Sequence, residues 1–525
     1  MKNKKFNIWL PFIISLAMIG GIFLGYKMRE TIPNKSFFFL EKRKPVEQII
    51  DLVNSKYVDS LNTQDLADTA IMAILSKLDP HSVYIPASKV EGVNDEIIGS
   101  FYGIGIEFNI YDDTLNVVNV LAGGPAAKAG LITGDKILKA GDSLLASKNK
   151  SFEDVRKILK GNRGTLIKLL VLRKNKQFSV NVERDQIPVS SIDAAYLIQP
   201  TIGYIRINKF STQTYREFMP VLDSLNKKGM KKLILDLRDN GGGVMDEAIE
   251  IADEFLSGDK LITYTEGTHS PKKEYRCRRL GQFETGKLVI LTNEGTASAS
   301  EILAGALQDW DRATIVGRRT FGKGLVQEQF NLSDNSALRL TVARYFTPLG
   351  RSIQRSYADG KKAYYNEIDS RFDLSDSTIK EGSIGRKFKT PEGKILYGQD
   401  GISPDIIVGF DTSHMGLKVY EVFSKGLIKD FSYKYSITNK QELDNYRSPL
   451  LFNKNFIIND EAWKYFENMA LADSIEVKYL KPQEKKFIER SLKLSIARQK
   501  FLNEGYFEVI NETDEVIIKA LSLLQ

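Results

Sequence analysis

Two short segments present residues able to act as a nucleophile and its base. Gly295-Thr-Ala-Ser-Ala-Ser-Glu301 carries Ser298, and Thr320-Phe-Gly-Lys-Gly-Leu-Val-Gln327 carries Lys323. The two are 25 residues apart, room for one helix and one strand. A lysine can take a serine's proton only when neutral, which requires burial or a nearby positive field to lower its pKa. Glycines on both sides of Lys323 let the backbone turn it inward. Ser298 falls between a strand-turn and a helix, so its hydroxyl would project at a helix N-terminus, where the dipole favours developing negative charge. An attacked carbonyl also needs N–H donors for its oxyanion. Ala299 offers one, and Gly241 or Gly242, in Asp239-Asn-Gly-Gly-Gly243, offers the second. The chemistry that fits is acyl transfer.

Each residue also has a plainer reading. Ser298 and Glu301 fit the spacing of a capping box, and Lys323 fits a solvated lysine in a glycine-rich turn. The triple glycine could cradle a phosphate, but no Gly-Lys-Ser/Thr follows it. A histidine base would have to be His81, His269 or His414. His81 lies in Asp79-Pro-His81, which reads as a turn, and the other two sit in polar surroundings without an orienting signature. Only the company these residues keep favours the catalytic reading.

The elements around them come from composition and pattern. At 525 residues and 42% hydrophobic content the chain divides into several domains. The net charge of +8 arises from 74 basic and 66 acidic residues spread widely, which points to solvated surfaces rather than nucleic acid. A single cysteine, Cys277, excludes a disulfide framework and a cysteine-based metal site, and nothing in the motifs calls for a metal or cofactor. Lys2, Lys4 and Lys5 precede an uncharged apolar run from Ile8 to Tyr26, about long enough to cross a bilayer, which takes roughly 17 to 25 residues. This predicts an uncleaved anchor with the bulk of the chain in a periplasm-like space; a cleaved signal is the alternative.

Helical spacing from Val46 to Tyr57 and from Asp65 to Leu78 predicts two helices. Short strands follow at Gly105–Phe108, Leu115–Leu121, Leu166–Arg173 and Phe178–Val182, with a capped helix from Ser151 to Lys160. From Ile202 strands alternate with helices: a strand Lys232–Arg238 enters the triple glycine, and an apolar helix face from Met245 to Leu256 ends at Gly258. Strands at Leu288–Thr292, Thr314–Val316 and Ala337–Phe346 complete the core. Tyr357 to about Lys394 reads as a polar, partly ordered insertion, and a long helix follows Pro482.

Gly124-Pro-Ala-Ala-Lys-Ala-Gly-Leu-Ile-Thr-Gly-Asp-Lys-Ile-Leu138 resembles the signature of PDZ domains, and Tyr102-Gly103-Ile104-Gly105-Ile106 resembles their carboxylate-binding loop. There, glycines expose N–H groups to a chain-terminal carboxylate while an extended peptide adds a strand beside Ile106. Together with Leu235-Asp-Leu-Arg-Asp-Asn-Gly-Gly-Gly243, Thr296–Glu301, Phe321-Gly-Lys-Gly324 and Tyr345–Ile353, these motifs make the chain similar to the carboxyl-terminal processing peptidases over about Ile49 to Val408. That resemblance implies Ser298 as nucleophile, Lys323 as general base and Gln327 as the residue orienting it, with Glu301 and Asp309 as possible supporting acids. It implies a crotonase-like α/β core, substrates that are proteins or peptides with exposed apolar C-termini, and a PDZ domain that gates the site.

The expected architecture is multidomain α/β. It comprises an anchor (1–30), a helical region (31–90), a PDZ domain (91–185), a peptidase core (186–410, insertion near 357–394) and a mostly helical C-terminal extension (411–525). A homo-oligomer or a regulatory adaptor remains open, as does a non-catalytic PDZ scaffold that holds tails without cutting them. An acyl-CoA enzyme of crotonase type is countered by the PDZ module and the anchor.

Overall fold

The computed structural model describes residues 4–31, 45–111, 113–145, 151–371, 386–409 and 416–525. The chain divides into two units, residues 1–74 and 75–525. In the first, helix Lys4–Thr31 contains the stretch Trp9–Lys27, 19 residues of mean hydropathy 1.8, with its apolar side chains exposed. It is the one helix among the described residues long and apolar enough to cross a membrane. Helix Pro45–Lys56 follows, opened by a proline whose missing N–H costs nothing at a first helical position.

In the second unit, a sheet of Ile106–Tyr111, Thr114–Val120, Lys136–Ala140, Leu166–Arg173 and Lys176–Glu183 wraps a core that includes Leu115, Val117, Ile137, Leu169 and Val171. Helix Phe152–Leu159 closes it, capped by Ser151 and Asp154 as the sequence predicts, with Val155 and Leu159 buried. Strand Ile106–Tyr111 lies at the sheet edge and, among the described residues, pairs only with Thr114–Val120.

The central sheet runs Ile192–Gln199, Ile202–Ile207, Lys232–Asp236, Leu288–Thr292, Thr314–Gly317, Ile406–Ile407, parallel from the second strand onward. Ile202–Ile207 and Leu288–Thr292 are buried along their whole length, as parallel strands covered on both faces must be. One face carries Thr214–Lys227, Met245–Asp253 and Ala299–Asp309. The helix after the triple glycine ends at Asp253, short of the expected Gly258, and Phe255 and Leu256 reach the core from the following turn.

The opposite face is covered from far along the chain. Helix Glu515–Leu524 lays Val516, Ile517, Ala520 and Leu524 on Tyr204, Ile234, Val289 and Leu291. Each large apolar side chain so buried contributes about 1.5–3 kcal/mol. Arg238 clamps the helix start by pairing with Asp514 at 2.7 Å. The helices before it, from Leu417 to Ile510, have their own core around Phe431, Phe452, Phe466 and Ile488. They also touch the first sheet, where Tyr433 stacks on Tyr111 at 4.8 Å and donates to Asn116 Oδ1 at 3.2 Å. The C-terminal region is therefore part of the folded body and not an appendage.

The polar insertion is more ordered at its flanks than its composition suggests. Helix Gly360–Ser370 buries Tyr364, and Lys387–Lys389 pairs with Ile395–Tyr397. Its middle, 372–385, lies outside the described residues.

Candidate active site

Ser298 sits between strand Leu288–Thr292 and helix Ala299–Asp309 with φ 57° and ψ −117°. A non-glycine residue there is strained by about 1–3 kcal/mol, and the surroundings must hold it. A serine on a sharp strand-to-helix turn presents its hydroxyl outward at the helix N-terminus. The turn is stitched to the triple-glycine loop: Ala297 N and Ser300 Oγ both donate to the Asn240 carbonyl at 2.9 Å, and Thr296 Oγ1 donates to the Leu237 carbonyl at 2.8 Å. Gly242, at φ +92°, approaches so closely that a Cβ would lie 2.8 Å from Ser298 Cβ and 2.9 Å from the Ala299 nitrogen. Only glycine fits.

Of the expected oxyanion donors, Gly242 is already engaged, its N–H donating to Asn240 Oδ1 at 2.9 Å. The Ala299 and Gly241 N–H groups have no hydrogen-bond partner among the described residues, and a Cβ on Gly241 would meet open space. The side-chain amide of Asn240 thus distinguishes two glycines that spacing leaves equivalent.

Glu301 joins the backbone of Ser298 to that of Lys323. Its fully buried carboxylate accepts four hydrogen bonds: Oε1 from Thr320 Oγ1 and the Gly322 N–H (2.8 Å), Oε2 from the Ser298 N–H (2.8 Å) and the Lys323 N–H (2.9 Å). The Ser298 and Lys323 nitrogens share one oxygen, so they are no farther apart than the sum of those distances, 5.7 Å. The bond to Ser298 is the reach-back half of a capping box, while no side-chain cap hydrogen bond forms at Ser298 itself. Tyr345 Oη makes a second bridge, its single O–H shared between the carbonyls of Ser298 (3.0 Å) and Lys323 (2.7 Å).

Lys323 Nζ donates to Gln327 Oε1 at 3.0 Å. The Gln327 amide is turned by its other end, since Nε2 donates to the His81 carbonyl and leaves oxygen facing the lysine. Burial pushes the Lys323 pKa down, and the Arg339 cation adds to this; Glu301 and Asp79 oppose it. The net direction is the one a lysine base needs.

His81 itself stands beside the site without titrating in it. Its pKa is lowered to about 4 by burial and then by the Lys323 charge, and its Nε2 meets Tyr364 Oη at 2.9 Å. Asp79 fixes the turn by accepting from the N–H groups of His81 (2.9 Å) and Ser82 (3.0 Å). The sequence marks the Asp79-Pro-His81 turn and offers His81 only as a base; the aim of its carbonyl at Gln327 has no local signal.

Asp309 departs from expectation. It lies at the far end of the Ser298 helix, roughly 15 Å along the axis at 1.5 Å per residue. There it pairs with Arg351 at 2.6 Å and accepts the Leu349 N–H at 2.9 Å, bracing the Thr347–Arg351 turn rather than the base.

Just before the first sheet, Tyr102 and Gly103 end a strand that forms a separate two-stranded sheet with Asp185–Pro188, and Gly105 has φ +75°. The Ile104 carbonyl accepts from Ala126 at 2.8 Å, so the Gly124–Ala126 signature shapes the loop that leads into the edge strand at Ile106. Phe152 of the covering helix stacks on Phe108 of that strand at 4.5 Å.

A strained serine is tied through one carboxylate to a half-buried lysine, with a small β-sheet domain upstream. The family model of peptidase family S41 matches residues 201–360, and that of the PDZ domain matches 103–183; a family of unknown function matches 419–502. The chain is 37% identical over 315 residues to a carboxy-terminal-processing protease of Bartonella bacilliformis, spanning 58% of this chain and 71% of that protein. It is 31% identical over 359 residues to a probable CtpA-like serine protease of Staphylococcus epidermidis, spanning 67% and 72%. Among solved structures it resembles a photosystem II D1 C-terminal processing protease, at 25% identity and TM-score 0.35, covering 69% of this chain and 92% of that one. The chain belongs to peptidase family S41, as a PDZ-containing carboxy-terminal-processing peptidase.

Proposed function

We propose that Ser298 and Lys323 form the catalytic dyad of an endopeptidase that binds a protein's C-terminus at its PDZ domain and cleaves near that end. Neutral Lys323 takes the Ser298 proton as Oγ attacks the scissile carbonyl, and the oxyanion rests on the Ala299 and Gly241 N–H groups. Lysinium returns the proton to the leaving amine as the C–N bond breaks, and water then hydrolyses the acyl-enzyme. Gln327 keeps the lysine aimed, and Glu301 positions both partners. The observation that carries this reading is the double bridge: one buried carboxylate and one buried phenol bind the backbone of both residues. Tail capture uses the Tyr102–Ile106 loop and the open edge of Ile106–Tyr111, with an apolar C-terminus as the ligand.

The apolar helix Trp9–Lys27 serves as an uncleaved anchor, with basic residues before it on the cytoplasmic side and the peptidase facing the periplasm. The test is cleavage of an apolar-tailed substrate by the purified chain, Ser298→Ala and Lys323→Ala, followed by mass spectrometry. Both variants should lose cleavage while still binding the substrate, and only chains with intact Ser298 and Lys323 should label with a serine-directed probe. Cleavage retained by either variant refutes the dyad.

A further inference from the structure

Resting on the tail-binding reading above, we propose that the C-terminal helical region forms a second specificity surface for the captured tail. It selects substrates with acidic side chains at the second and fourth positions from the C-terminus. Side chains of a peptide added to the edge strand Ile106–Tyr111 alternate between the two faces of the sheet. The terminal and third residues enter the groove under helix Phe152–Leu159, on the side of Ile106, Phe108 and Ile110, which pack against the PDZ core. The second and fourth point to the other face, with Glu107 and Asn109.

In this chain that other face is partly walled off. It forms one wall of a cleft of about 710 Å³ whose opposite wall is built by helices Leu417–Ser424, Leu427–Thr438 and Pro482–Ile510. Phe423, Phe487 and Leu494 give the cleft apolar walls, and its charged lining is lopsided: Lys425, Lys429, Arg490 and Arg498 against Glu107 alone. Arg490 donates to the Ile510 carbonyl at 2.8 Å, and Arg498 lies 3.9 Å from Glu107 with both side chains about half exposed. Lys425 and Lys429 are exposed and have no carboxylate within ion-pair distance among the described residues. A cleft with surplus cations beside a strand-accepting edge suits carboxylates on the outward face of the incoming strand. Each such exposed pair is weak, so selection comes from two or more acting together and is screened by salt.

The test uses the full chain as Ser298→Ala, so that peptides stay intact, and short fluorescent peptides sharing one apolar C-terminal residue. The second and fourth positions from the end are both Glu, both Ala or both Lys. At low salt the Glu peptide should bind about tenfold tighter than the Lys peptide, and at high salt about twofold. Adding Lys425→Ala, Lys429→Ala and Arg498→Ala should erase the preference while leaving the Ala peptide's affinity unchanged. Equal binding of Glu and Lys peptides, or a preference that survives the three substitutions, overturns the inference and leaves tail capture standing. A C-terminally amidated Glu peptide that binds as well as the free acid overturns tail capture itself, and the inference with it.

Discussion

Glu301→Gln isolates what holds the dyad together. The native carboxylate accepts four donors and gives none, while burial pushes its pKa up and the four hydrogen bonds pull it back. Glutamine keeps one acceptor oxygen and puts an NH2 where the other stood. The least costly placement keeps the oxygen on the Ser298 and Lys323 N–H groups and turns the NH2 toward Thr320 and Gly322. Thr320 can rotate its hydroxyl to accept, but the Gly322 N–H cannot, so one backbone donor is orphaned against a second donor in a buried site. An orphaned buried donor costs about 1–3 kcal/mol, and the clash adds to it, so the expected loss is about 2–4 kcal/mol. At roughly 2–4 °C per kcal/mol for a domain this large, Tm should fall by about 5–15 °C in differential scanning fluorimetry. Relaxation of the strained Ser298 turn should lower kcat at least about tenfold with KM nearly unchanged, because the tail is captured elsewhere. Removing the negative charge beside Lys323 should also move the acid limb of the rate profile to lower pH. A variant with native Tm and kcat would mean that the buried carboxyl is already protonated, with one of its four donors reversed. That result refutes the account of Glu301 as an ionised clamp.

Arg339→Gln removes the positive neighbour that, after burial, does most to depress the Lys323 pKa, so that pKa must rise. Because the base works only when neutral, kcat/KM should fall below the acid limb, the limb should move to higher pH, and the rates should converge at alkaline pH; an unmoved limb counts against Lys323 as base. Ile517→Ala, at a fully buried position on the back of the central sheet, should cost about 2–5 kcal/mol in urea unfolding, as for any core site. A loss below about 1 kcal/mol would mean that helix Glu515–Leu524 is peripheral to stability.

Local patterns made much of this legible. The strand Leu288–Thr292, the capped helix after Ser151 and the helix that follows Ser298 each follow from periodicity and end signals nearby in sequence. Spacing also paired Ser298 with Lys323, and Glu301 entered as a possible supporting acid. What stayed hidden depends on distant groups. Nothing around His81 reports that its carbonyl meets Gln327, 246 residues away, and nothing around Asp309 reports Arg351 beneath it. The triple glycine offered equivalent donors until the Asn240 side chain occupied one. The C-terminal helices read as an extension because an amphipathic face does not name its partner, and that of Glu515–Leu524 is the peptidase sheet itself.

That last helix also sets a clock. The sheet it covers is built from residues 192 to 407, so the chain must grow by more than a hundred residues before the sheet's second face can be closed. A nascent peptidase emerging strand by strand would carry its serine and lysine for some time on a half-covered sheet, exposed to collapse and to other proteases. The back of the sheet closes only when Asp514 reaches Arg238 and the helix seats.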